Sequence, residues 1–150
     1  MTEALLQQTI VEIFKTFYQP LMIESSWNGI NLQGLSKEQI GKLMTDFYKQ
    51  GGVKGSSDLK VYLPNMKMIH IELKRPRRTG GQSKEQKEVQ EQLEFIGHKY
   101  YLCNSIESFF EVINNNLDLE YRLNLIKAYK GKYTEEQLKQ QYEIKDTLWV

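Results

Sequence analysis

The sequence predicts an α/β domain in which helices cover a small mixed sheet. Three observations carry that prediction. Apolar residues recur at helical spacing in several separate stretches, the clearest being residues 3–18. Two short strand-like runs, 58–63 and 68–74, are joined by the turn signal Pro64-Asn65. A third strand pattern, 99–103, stands between two helical ones, which gives the order α-α-β-β-α-β-α-α.

In residues 3–18, Leu6, Ile10, Ile13, Phe14 and Phe17 fall on one face; Thr2 is positioned to cap the start and Pro20 ends the run. Residues 24–35 read as loop or irregular strand, with Asn28-Gly29 as a turn signal. Ser36 and Gln39 form a capping-box pattern opening a helix over 36–49, stopped by Gly51-Gly52. The link between 58–63 and 68–74 is so short that the two strands must pair antiparallel. A basic loop follows, residues 75–82 (RPRRTGGQ). Ser83 and Gln86 then open a helix to about Ile96, stopped by Gly97. Lys99–Cys103 is the third strand, Ser105 begins a helix to about Asn114, and 117–143 is helical in pattern with a break near Gly131.

A chain of 150 residues suits one domain and buries roughly 70% of its unfolded surface. Nine tyrosines, six phenylalanines and two tryptophans supply a core. Cys103 is the single cysteine, which excludes an internal disulfide or a thiolate zinc site and fits a reducing compartment. The first fifteen residues carry acids and lack a secretory pattern, and no stretch approaches the ~20 apolar residues of a membrane span. A soluble, cytoplasmic protein is therefore expected. The net charge of +1 does not point to nucleic acid, but Lys74, Arg75, Arg77 and Arg78 put four cations into five residues.

Residues two apart on a strand share a face, so Glu72 and Lys74 stand side by side at the end of the second hairpin strand. Asp58, at the start of the first, lies near that end once the hairpin closes. Two carboxylates and an ammonium then converge, as phosphodiester hydrolysis requires. Carboxylates on different elements hold Mg²⁺ or Mn²⁺, with the Leu73 carbonyl as a further oxygen ligand, and a lysine orients water or stabilises the charged transition state. Taken alone, Glu-x-Lys on a strand is more often an exposed ion pair, and Gly55–Asp58 an ordinary turn. The two motifs fourteen residues apart, with a turn between them, are far more specific. Histidines are too sparse for a histidine-based nuclease: His98 is the only other one beside His70, which is expected to be a packed or exposed strand residue. No phosphate-loop or dinucleotide motif is present.

The run from Gly55 through Asp58, the hairpin, Ile71-Glu-Leu-Lys-Arg-Pro76, the glycine-containing loop, and Ser83 with Gln86 on the following helix resembles the VRR-NUC family of the PD-(D/E)xK nuclease superfamily. The resemblance covers roughly residues 3–113. Trp27-Asn28-Gly29 and Gly51–Gly55 are similar to small stand-alone phage-type members. One departure is Ser57, where the family usually has proline before the aspartate. The resemblance implies a restriction-endonuclease-like core over 1–113 with a C-terminal helical extension over 114–150. It implies a Mg²⁺- or Mn²⁺-dependent DNA endonuclease acting on Holliday junctions or other branched DNA as a homodimer, cytoplasmic in a bacterial host if phage-encoded. Asp58, Glu72, Lys74 and Gln86 would be catalytic, with Asp58, Glu72, the Leu73 carbonyl and Glu3 holding metal. Glu3 shares the face of Leu6, Ile10, Ile13 and Phe17, so it would extend that stripe toward the core. The alternative for Gln86 is a capping glutamine, and both roles hold only if the side chain has two duties. Lys54, Arg75, Arg77 and Arg78, with Lys60 nearby, would hold the phosphate backbone without reading sequence. The rival reading is a non-catalytic DNA-binding or assembly protein that keeps the fold.

Overall fold

The computed structural model describes residues 1–26, 32–75, 81–118 and 120. The Asn28-Gly29 turn, Arg77, Arg78 and the tail helices lie outside them. The elements run α1 (Glu3–Phe17), β1 (Met22–Ser25), α2 (Lys37–Lys49), β2 (Leu59–Tyr62), β3 (Met68–Leu73), α3 (Lys84–Phe95), β4 (Lys99–Cys103) and α4 (Ile106–Asn116).

The four strands form one sheet in the order β1-β2-β3-β4. β1 pairs antiparallel with β2 and β2 antiparallel with β3, as the short Pro64–Lys67 turn demands. β4 then runs parallel to β3, a direction that only a crossover can deliver, and α3 is that crossover. The sheet is therefore mixed, and β1 is a strand that the sequence pattern does not reveal: the loop or irregular strand expected over 24–35 overlaps it only at Glu24 and Ser25.

Alternation along the strands divides the sheet into two faces. Leu59, Val61, Ile69, Ile71, Leu73 and Cys103 turn one way and meet Leu6, Ile10, Phe14 and Phe17 of α1 and Phe109, Phe110 and Ile113 of α4. Each such fully buried side chain contributes about 1.5–3 kcal/mol. Phe14 stacks on Tyr18 at a centroid distance of 5.1 Å and meets Phe109 edge-on at 6.3 Å. Met68, His70, Glu72 and Tyr100 turn the other way, toward α3.

Helix starts follow the sequence closely. Thr2 accepts from the Leu5 amide at 3.2 Å, and Ser36, Ser83 and Ser105 each close a full capping box. α4 runs two residues past the expected end at Asn114. Among the described residues no helix is long and apolar enough to cross a membrane.

Candidate active site

The end of β3 gathers the polar groups. Glu72 is only 1% exposed, an unusual place for a carboxylate unless it is paired. The Lys74 ammonium lies 2.9 Å from its Oε1. The Gln86 side-chain amide donates to the same oxygen, while its own carbonyl oxygen accepts from Lys74 Nζ at 3.2 Å. Glu72, Lys74 and Gln86 thus form a closed triangle. On the far side the Tyr100 hydroxyl donates to Glu72 Oε2 at 3.4 Å.

Gln86 makes the contacts of a cap and also touches Lys74 and Glu72. It sits at the third position of α3, where its Oε1 also accepts from the Ser83 amide at 2.9 Å in the capping box. The helix start and the site are therefore held by one side chain.

Asp58 ends the loop before β2. Its Oδ2 accepts from the Leu73 amide at 2.7 Å, tying the loop to the strand end that carries Glu72. The Leu73 side chain is in the core, so only its backbone can serve the site. Glu3 and Asp58, with Glu12 and Ser25, line an open cleft of about 670 Å³. Glu3 does not continue the apolar stripe inward as expected. Its side chain is 43% exposed and reaches Arg75 Nε at 3.7 Å, so a charged partner at the surface holds it rather than the core.

Electrostatics mark the centre. Burial pushes Glu72 up to about 7, and the charge of Asp58 and, more weakly, Glu3 pushes in the same direction against the opposing pull of Lys74. Tyr100 is raised as well, first by burial and then by the negative charge of Glu72. On the same face, burial pulls His70 down to about 4, helped by His98 and Lys60.

A hard divalent cation suits this donor set. Asp58, Glu72, Glu3 and the Leu73 carbonyl offer only oxygen, and the three acids repel one another in a way that a cation between them would relieve. Among the described residues no three acidic, histidine or cysteine side chains are drawn together as a metal-holding group. Instead Glu72 is turned onto Lys74 and Gln86, and Asp58 onto the Leu73 amide.

Of the phosphate-binding candidates, Arg75 is exposed and paired with Glu3, and Lys54 lies 3.1 Å from Glu85. Arg77 and Arg78 lie outside the described residues. Lys60 does not flank the acids: strand alternation points it at α3, with His70 as its partner across the β2–β3 pair. Tyr100 was missed by the sequence reading. Two adjacent tyrosines on a strand do not say which faces Glu72; the register of β4 decides it.

A mixed sheet with helices on both faces is the α/β architecture of a restriction-endonuclease-like core. Its fold is similar to that of two solved VRR-NUC domain structures. One solved structure, described as a VRR_NUC domain, superposes with a TM-score of 0.50 at 17% identity over 77% of this chain and 97% of the other. Another, described as a VRR_NUC domain protein, gives 0.53 at 18% identity over 75% of this chain and 85% of its own. No family model matches the sequence, and no curated protein matches it.

Proposed function

We propose that this chain is a divalent-metal-dependent nuclease that hydrolyses DNA phosphodiesters. The observation that carries the proposal is the Glu72–Lys74–Gln86 triangle, with Glu72 buried and Asp58 beside the same strand end. A purely structural ion pair gains nothing from a second acid close enough to raise the first. A phosphoryl-transfer site needs that arrangement.

Asp58, Glu72, the Leu73 carbonyl and Glu3 would hold Mg²⁺ or Mn²⁺. When bound, the ion supplies positive charge against the phosphate and makes water more acidic. Glu72 is held in one rotamer by three donors, Lys74, Gln86 and Tyr100, so its carboxylate is oriented in advance. Lys74 is placed to hold the attacking water or to balance charge building on the phosphate. Arg75, Arg77, Arg78 and Lys54 would grip flanking phosphates, which gives affinity without base reading. We further propose action on branched DNA, Holliday junctions among them, by two copies of the chain, since symmetric cuts on two strands need two sites. Residues 114–150 would extend the same domain.

The test is cleavage of labelled four-way junction, flap, single-stranded and duplex DNA with Mg²⁺ or Mn²⁺. Glu72→Ala and Lys74→Ala should each lose cleavage by at least about a hundredfold while retaining DNA binding. Variants that cut as well as the parent would falsify the assignment. Well-folded parent that cuts no substrate with either metal, and binds Mn²⁺ no better than Glu72→Ala does, would establish the rival reading of a DNA-binding protein.

A further inference from the structure

The end of the sheet away from Glu72 carries an uncovered apolar surface. Met22, Tyr62 and Met68 stand in one row across β1, β2 and β3, on the face that α3 covers. α3 packs mainly on β4, so the β1–β2 half of that face is left open. Met66 is fully exposed in the turn beside the row, Met22 is 65% exposed, and Phe95 and Ile96 at the end of α3 are 91% and 62% exposed. Ile96 lines a cavity with Lys60 and His70, whose row is next to that of Tyr62 and Met68. The helix end and the row therefore form one surface. Exposed apolar side chains are ordinary when scattered; a contiguous group of this size marks a contact.

We infer that this surface pairs with a second copy of the chain. The area fits. Side chains of this kind have up to about 200 Å² each to bury, so the exposed parts of these six come to roughly 700 Å², close to the ~800 Å² that each partner gives to a standard interface. Charge fits as well. Glu91, one helical turn before Phe95, shares its face of α3, while Lys67 follows Met66 in the turn beside the row. The acid thus belongs to the helix end and the cation to the open half of the sheet.

One symmetry operation brings these halves together. A two-fold axis along the strands sets the end of each α3 over the other copy's open β1–β2 half. Phe95 of one copy then meets Met22 and Tyr62 of the other, and Glu91 meets Lys67, twice over, as a self-complementary interface requires. The same axis turns both Glu72 ends in one direction. Met68 lies four strand residues, roughly 13 Å, from Glu72, so both acid clefts stay open on one side of the pair. The inference rests on the two-copy part of the reading above and gives it a surface, but it does not rest on the chemistry at Glu72.

The test is analytical ultracentrifugation of the full chain with chelator and without DNA. The parent should be a dimer. Met22→Lys and Phe95→Lys, both at exposed positions and so expected to melt as the parent does, should each weaken it at least tenfold. Lys67→Glu should weaken it too, and Glu91→Lys added to the same chain should restore it. Met22→Cys chains mixed with Phe95→Cys chains should join by a disulfide under mild oxidation, Cys103 being buried; Leu5→Cys on α1, used in place of Met22→Cys, should not. A dimer that survives both lysine variants, or that crosslinks equally through position 5, overturns the inference and leaves the two-copy reading standing on another surface. A monomeric parent overturns it as well, whether the surface is then bare or covered by the chain's own residues 121–150. Cleavage is read separately, so the nuclease assignment stands or falls without this result.

Discussion

Glu72 and His70 project from one strand to one face, yet burial moves their protonation in opposite directions. Glu72 rises from 4.5 to about 7, so between those values the folded chain holds a proton that the unfolded chain releases, and stability falls as pH rises. His70 drops from 6.5 to about 4, so across that window the unfolded chain takes up the proton first, and stability rises with pH. At about 1.4 kcal/mol per pKa unit, each effect is worth at most about 3.5 kcal/mol. In the metal-free protein the two slopes oppose each other, and the parent should be nearly flat between pH 4.5 and 6.5. Denaturant melts with chelator present check this. Glu72→Gln should leave only the rising limb and be about 2–3 kcal/mol more stable than the parent at pH 8. His70→Phe should leave only the falling one. If both variants keep the parent's profile, the opposed protonation is wrong. Much of the site at this scale was legible in the sequence: strand alternation pairs Glu72 with Lys74, and one helical turn past the loop brings Gln86 to them. The His70 environment was legible only as far as a shared face, because Ser57, Lys60 and the α3 wall reach it through the register.

Two elements deserve comparison because the same local device serves them differently. α2 and α3 both begin with a capping box, Ser36 with Gln39 and Ser83 with Gln86. Replacing either glutamine by alanine should cost about 0.3–1.5 kcal/mol of stability, read by thermal melting. Only Gln86→Ala should also lose cleavage, since only Gln86 touches Lys74 and Glu72; equal activity in the two variants would leave Gln86 a cap and nothing more. Glycines give a second pair. Gly55→Ala forces a Cβ into the Glu85 backbone at positive φ, whereas Gly51→Ala, at φ +100°, meets open space. The first should cost about 1–3 kcal/mol and slow cleavage by displacing the start of α3; the second should cost about 1 kcal/mol and leave the rate alone. Element starts were legible because capping boxes are local. β1 was not: only Ile23 packs against the core, so Met22–Ser25 carries no alternation to read, and its place in the sheet depends on pairing with β2.

At the scale of the whole molecule a net charge of +1 supplies no general attraction for DNA, so the proposed affinity must come from a few cations: Lys54, Arg75 and the arginines that follow Arg75 in sequence. Lys54 and Arg75 are engaged with Glu85 and Glu3, but both pairs are exposed, and exposed pairs are weak enough to exchange a carboxylate for a phosphate. With Arg77 and Arg78, each copy of the chain then offers four cations. Counterion release converts that number into an observable: binding falls with salt by a log–log slope of about −0.9 per phosphate neutralised on duplex DNA. One copy should therefore give a slope near −3.5, and two copies gripping a junction near −7. Fluorescence anisotropy with chelated protein, on duplex and on four-way junction, measures both. The expected result is the shallow slope on duplex and the steep one on the junction, with Arg75→Ala reducing each slope by about one unit per copy. A junction slope no steeper than the duplex slope would remove the two-copy proposal while leaving the site and its chemistry in place, because the acids, Lys74 and Gln86 that form the triangle and its neighbourhood all come from one chain.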